Sequence, residues 1–162
     1  MITNYLSPLE FIVTVKRLPN VQFFTQRTSI PSISVSPIEH PTPFKPTYET
    51  GDRLNYADLN LSFIVDENMA NYIEIFNWIK GYSFPENFDQ YKTLASSQNG
   101  LKSDIAIQIL NSSKNPCAII EYRDCFPTDL SEINLDTTQT DVVYPEANVT
   151  FRYNYFDVTA LS

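Results

Sequence analysis

Residues 58–66 read DLNLSFIVD, and their alternation leaves the chain little freedom. Leu59, Leu61, Phe63 and Val65 fall on one side of an extended backbone, while Asp58, Asn60, Ser62 and Ile64 fall on the other. That period of two predicts a strand with one face in a core and a polar face toward solvent or a partner. The period then changes. In DENMANYIEIFNWIKG, Met69, Tyr72, Ile73, Phe76 and Ile79 recur at helical spacing, Asp66 or Asn68 is placed to cap, and Gly81 follows Lys80 as a stop. Ile75 and Trp78 widen the apolar surface, so the helix is expected to pack deeply on a sheet.

Elsewhere the strand period dominates. Glu10 to Leu18 sets Phe11, Val13 and Val15 against Ile12, Thr14 and Lys16, and Val21 to Ser29 follows after Pro19-Asn20, which predicts a hairpin. Asp104 to Asn111 and Pro116 to Arg123 flank the polar turn Ser112 to Asn115 and predict a second hairpin. Ala147 to Thr159 reads as one long final strand. Gly81 to Leu101 is polar and unperiodic and is expected as a surface excursion, mobile over Ser96 to Gly100. The stretch EYRDCFPTDLSEINLD, residues 121–136, breaks at Phe126-Pro127 and resumes with Ile133 and Leu135 spaced by two. Strands at this spacing with one helix imply a mainly β chain, an antiparallel β-sandwich or barrel of about seven strands with one flanking α-helix. From Ile30 to Tyr48 the chain carries Pro31, Pro37, Pro41, Pro43 and Pro46, which predicts a long, stiff loop with a function of its own. With 162 residues and 43% hydrophobic content, a single domain over residues 1–162 is expected.

Composition removes several classes of function. Against 11 basic residues stand 19 acidic ones, a net charge of −8 that disfavours a DNA-binding groove or an anionic membrane surface. Spanning helix and signal peptide are both missing from the pattern, so a cytosolic site of synthesis is expected. Cys117 and Cys125 are too few for a zinc site and read as reduced core residues. His40, the lone histidine, lies in the proline loop and has no nucleophile to serve. Asp124, Asp129, Glu132 and Asp136 are spread along a turn rather than held as a catalytic pair. Three glycines make no phosphate-cradling loop. Neither catalysis, cofactor nor metal is expected.

Several stretches together resemble the tail tube proteins of T4-like contractile-tailed bacteriophages. They are the F-x-V-x-V opening strand (Phe11, Val13, Val15), IPSISV, the run from Thr42 to Asn68 (TPF…GDRLNYADLNLSFIVDEN), the helix with Phe76 and Trp78, FPTDLSEINLD, and the aromatic last strand. The resemblance covers nearly the whole chain, and its most specific part is the Gly51-Asp52-Arg53 step into a strand ending at Asp66-Glu67. About nine residues precede the first strand, a short arm for a major tube protein, which suggests a specialised ring at the baseplate or neck.

The resemblance implies a structural virion protein, assembled in the host cytoplasm, whose hexameric rings stack into a conduit for DNA ejection. Tail sheath and baseplate or neck proteins are then its partners, with transient passage of DNA and no membrane. It implies that the proline-rich loop docks on the adjacent ring through Pro43, Phe44, Asp52, Arg53 and Tyr56. It implies that Asp58, Asn60 and Ser62, with Thr150, Arg152 and Asn154, face a wet lumen. Phe126 and Pro127 then mark the bend where a strand leaves one sheet for another. A tube initiator or adaptor ring remains the nearest alternative. From another class, a monomeric β-sandwich binding module would use Tyr122, Tyr153 and Tyr155 as a stacking surface.

Overall fold

The computed structural model describes residues 5–96, 100–138, 140–141 and 143–161, with nothing said of the side chains at 22 and 23. Among these residues the chain runs β1 (Phe11–Val15), α1 (Pro19–Phe24), β2 (Thr25–Thr28), β3 (Ile33–Val35), β4 (Ile38–His40), β5 (Thr47–Glu49), β6 (Leu54–Tyr56) and β7 (Leu59–Ile64). It continues through α2 (Ala70–Ser83), α3 (Phe88–Ser96), β8 (Ser103–Leu110), β9 (Pro116–Leu130), β10 (Glu146–Arg152) and β11 (Tyr155–Ala160). A seven-stranded antiparallel sheet in the order β1-β8-β9-β10-β7-β2, with β11 also on β9, forms the body.

β9 joins the two halves of this sheet. Its first ten residues pair with β8 and β11, and from Phe126 onward it pairs with β10. Between the two ladders Asp124 adopts a left-handed backbone, φ 57°, a conformation that Asp tolerates better than most residues. Opposite it, the turn between β10 and β11 brings Asn154, whose amide N–H donates to the Arg123 carbonyl at 3.1 Å and whose side chain donates to Asp124 Oδ2 at 2.7 Å. Both strands therefore turn the same corner together. The expected long final strand is two strands because of it, with Tyr153 still buried and Tyr155 already exposed. β9 passes from one ladder to the other between Cys125 and Phe126, directly after the left-handed Asp124, and runs unbroken to Leu130. No strand follows at Ile133 and Leu135.

The alternations at β1, β7 and β8 form the core. Val13 and Val15, Leu59, Leu61 and Phe63, and Ile105 and Ile107 are almost fully buried, joined by Ile120, Tyr122, Val149 and Phe151 from the bent strands. The partners stand directly opposite one another, as in Phe63 with Ala147 and Leu59 with Phe151, so each cross-strand pair closes part of the core. Cys125 is buried, Cys117 is half-buried, and both are free.

α2 closes the core through a different face from the expected one. Asn71, Ile75, Trp78 and Gly81 are buried, whereas Ile73 and Phe76 are 47% and 50% exposed. Asn71 takes the buried position because it satisfies backbone groups where β7 ends. Its Nδ2 donates to the Ile64 carbonyl at 2.8 Å, and its Oδ1 accepts from the N–H of Asp66 at 3.2 Å and of Tyr72 at 2.8 Å. Neither Asp66 nor Asn68 caps by its side chain; Met69 enters the helix at φ 55°. Gly81 does not stop the helix either. It lies against α3, where an added Cβ would meet Leu94 Cδ1 at 2.0 Å. Trp78 Nε1 donates to the Leu101 carbonyl at 2.9 Å, and the Arg17 guanidinium lies 5.1 Å from the centroid of the indole.

The remaining differences are local. Pro19 at the first helical position starts α1 in place of a hairpin turn, which suits its fixed φ, and β2 pairs with β7 rather than β1. The excursion after α2 contains α3; within the segment expected to be mobile, residues 97–99 lie outside the described residues. If the Asn71 bridge ties β7 to α2, Asn71→Ala should lower unfolding free energy by about 1–3 kcal/mol through the stranded Ile64 carbonyl. Ile73→Ala should cost about 0.5 kcal/mol, as for surface changes. Urea denaturation of the two variants checks the ranking.

Candidate assembly interface

The proline-rich segment is a hairpin arm, not a loop. β3 pairs with β6 (Ile33 opposite Tyr56, Val35 opposite Leu54), and β4 pairs with β5 (Ile38 opposite Glu49, His40 opposite Thr47). The two short ladders are successive parts of one hairpin, with Ser36-Pro37 facing residues 50–53 at the interruption. Proline is tolerated because none falls within a paired strand: Pro37 lies at the interruption, and Pro41, Pro43 and Pro46 lie between β4 and β5. Gly51 is required at the interruption, since a Cβ there would come within 1.9 Å of the Ser36 carbonyl oxygen. From Ile33 to His40 the arm extends about 25 Å at a strand's rise per residue.

All residues from 32 to 50 are exposed, so the arm does not lie along the body. Its surface is nevertheless apolar in part, with Ile33, Val35, Ile38, Tyr48 and Leu54 all substantially exposed. At the tip, Pro41 to Pro46 place Phe44 outward at 98% exposure. Asp52 and Arg53 lie at the interruption, exposed. Tyr56 belongs to the root instead. Its ring packs on Tyr153 and Phe156 at centroid distances of 5.8 and 5.5 Å, and the Tyr153 hydroxyl donates to the Ala57 carbonyl at 2.7 Å.

Five of the six residues expected to face a lumen share one surface. Asn60 lies opposite Thr150 and Ser62 opposite Asn148 across β7 and β10. Thr150 Oγ1 donates to Asn60 Oδ1 at 2.9 Å, Ser62 donates to the Asn148 side chain, and Arg152 forms an ion pair with Asp58. Arg27 stands opposite Ser62, Asp129 opposite Thr150 and Glu146 opposite Ile64, which extends the face across β2, β10 and β9. Three carboxylates stand there against two guanidiniums. Asn154 is the exception, held at the corner by Asp124. Phe126 and Pro127 come just after that corner and receive α2: the Phe126 ring lies 6.2 Å from Tyr82, whose hydroxyl donates to the Pro127 carbonyl.

A third surface had no counterpart in the sequence. Where β7 ends and α2 begins, Phe24, Ile64, Met69, Ile133, Leu135 and Tyr144 line a cavity of about 740 Å³, with Asp66 and Glu67 also in its lining. Leu135 is 87% exposed and Tyr144 68%. The signal for it was the apolar pair Ile133 and Leu135, which lack a strand to belong to.

Two alternatives lose their geometry. Tyr122 and Tyr153 are buried and only Tyr155 is exposed, so the three cannot form a stacking surface. Asp124, Asp129, Glu132 and Asp136 are each exposed. The Asp136 carboxylate lies below its ordinary range because the Thr138 side chain and backbone N–H donate to it. His40 pairs with Glu49 at 3.3 Å on the arm.

The profile of the phage tail tube protein family matches residues 8–159. The chain belongs to the phage tail tube protein family. It is 25% identical to the tail tube terminator protein of Enterobacteria phage T4 over 97% of this chain and 90% of the T4 protein. Among solved structures, a chain in the tube-terminating cap of the anti-feeding prophage superposes with a TM-score of 0.71 at 18% identity, covering 99% of this chain and 95% of that one. A chain in the six-fold symmetrised anti-feeding prophage baseplate gives 0.67 at 16%, covering 99% and 98%. The tail tube family protein is thus a structural component of a phage tail, with a mainly β fold shared by those assemblies. No described helix is long and apolar enough to cross a membrane.

The root of the arm in this tail tube protein makes it sensitive to alkali. Burial pushes the Cys125 thiol up to about 12 from 9.0, and burial together with the Asp58 carboxylate pushes the Tyr153 phenol up to about 12 from 10.0. Both groups stay neutral longer when folded, so stability is full below pH 9 and is lost as pH rises toward 12. The urea midpoint should fall between about pH 8 and about pH 10.5, and Cys125→Ala should flatten that fall.

Proposed function

We propose that this chain forms a hexameric ring that stacks on the phage tail tube and terminates it, leaving an open conduit for DNA ejection. The observation that carries the reading is the whole-length likeness to a tube terminator protein. The arm supports it physically. A hairpin with exposed apolar residues on a body that does not cover them is the form expected of an element buried on assembly.

In this reading the polar face of β7 and β10 lines the lumen. Asp58, Asn60, Ser62, Thr150 and Arg152 keep that wall hydrated, and its three carboxylates against two arginines leave no basic track for phosphate. The arm, through Pro43 and Phe44 with Asp52 and Arg53 nearer its base, makes the contact to adjacent subunits. Tyr56 supports it from the root. Tail sheath and neck proteins meet the outside of the ring. A ring that starts the tube at the baseplate is the second reading, supported by the superposition on a baseplate chain.

Electron microscopy of the purified chain should give closed rings with six-fold symmetry. Phe44→Asp should keep the monomer's melting behaviour and lose the rings, since a charge in an apolar contact costs several kcal/mol, roughly, unless paired. A monomer at high concentration, or unchanged rings from Phe44→Asp, would count against the ring or the arm respectively. Rings should bind duplex DNA weakly even at low salt; tight, salt-sensitive binding would mark a DNA-gripping protein instead.

A further inference from the structure

The arm and the apolar cavity lie at opposite ends of one strand. The arm leaves the body at Ala57, just before β7 starts at Leu59, and the cavity begins at Ile64, where β7 ends. Six residues of strand separate them, about 20 Å. The arm does not fold back along the body, as the exposure of residues 32–50 shows, so its tip is out of reach of its own cavity.

Tip and cavity have complementary chemistry. The tip presents the Phe44 ring between Pro43 and Lys45-Pro46, apolar except for one ammonium. The cavity offers an apolar lining from Leu135, Tyr144 and Met69, and Asp66 and Glu67 add two carboxylates to it. Among the described residues no ion pair engages Lys45, Asp66 or Glu67. Two prolines beside the ring hold the tip in few conformations, which lowers the entropy lost on docking. A volume of about 740 Å³ is ample for an aromatic side chain and its neighbours.

We propose that the arm tip of one copy seats in this cavity of a second copy, with Phe44 inside and Lys45 against Asp66 and Glu67. The contact is head-to-tail: each copy gives a tip and receives another, so that the same contact repeats and closes a ring when the rotation between copies allows. The proposal rests on the ring reading and gives the arm a defined receptor.

The test uses the full chain carrying Cys117→Ala, because Cys117 is only half-buried while Cys125 is fully buried. Phe44→Cys and Leu135→Cys are made as separate proteins, mixed and mildly oxidised. A 44-to-135 disulfide between chains is expected, together with a ladder of covalent oligomers from the doubly substituted chain. Lys45→Glu should raise the concentration needed for ring assembly about tenfold, and Glu67→Lys in the same chain should recover it. Rings without the 44-to-135 disulfide, or without recovery by the charge swap, would overturn the receptor and leave the ring reading standing. A disulfide confined within single chains would overturn it too, as would a small apolar molecule retained in the cavity of intact rings by native mass spectrometry. A chain that stays monomeric throughout would overturn the ring reading itself and the receptor with it.

Discussion

A single corner governs the architecture. β9 can serve two ladders only because Asp124 bends it, and Asn154 holds the bend by bonding both the Arg123 carbonyl and the Asp124 side chain. Past that bend β10 and β7 follow on β9, and Phe151 and Val149 share one core with Ile105 and Ile107. α2 then covers what the corner leaves open: Trp78 lies 6.1 Å from Phe151, and Tyr82 reaches Phe126 and Pro127 just past the bend. The corner also sets up the surfaces outside the core, by turning the polar side of β7 and β10 into one face and by gathering Tyr122, Tyr153 and Phe156 under the arm's root.

The sequence was legible where one face of an element is buried and the other wet. DLNLSFIVD states the core face of β7 residue by residue, and the β8–β9 hairpin follows from two alternations and a polar turn. It was illegible where the buried and apolar faces differ. α2 has apolar residues around much of its circumference, and the core face is marked by Asn71, a polar residue that periodicity assigns to solvent. What places Asn71 inside is the need of β7's last carbonyl for a donor, a tertiary requirement with no period.

The proline-rich segment failed differently. Its prolines removed the pattern of a strand, but they fall between the short strands and at the tip, Pro37 at the interruption and Pro41, Pro43 and Pro46 between β4 and β5, and so leave both ladders intact. Of the candidate site residues, the Asp58 to Arg152 set was readable because polar alternation on two paired strands must share a face. Tyr56 and Asn154 were not, because each sits where an element ends and its neighbours, Tyr153 and Asp124, come from distant sequence. The cavity beside β7 left only the trace of Ile133 and Leu135 for the same reason: its lining comes from α1, the end of β7, the turn before α2 and the segment between β9 and β10.

An arm that is exposed in the single chain and useful only in company is the central claim. Hydrogen–deuterium exchange on the dilute monomer and on assembled rings tests it most directly. The account predicts that amides of residues 33–56 exchange fast in the monomer and become the most strongly protected of all on assembly, while β7 and β8 stay protected in both. Rings in which the arm exchanges as fast as in the monomer would contradict it.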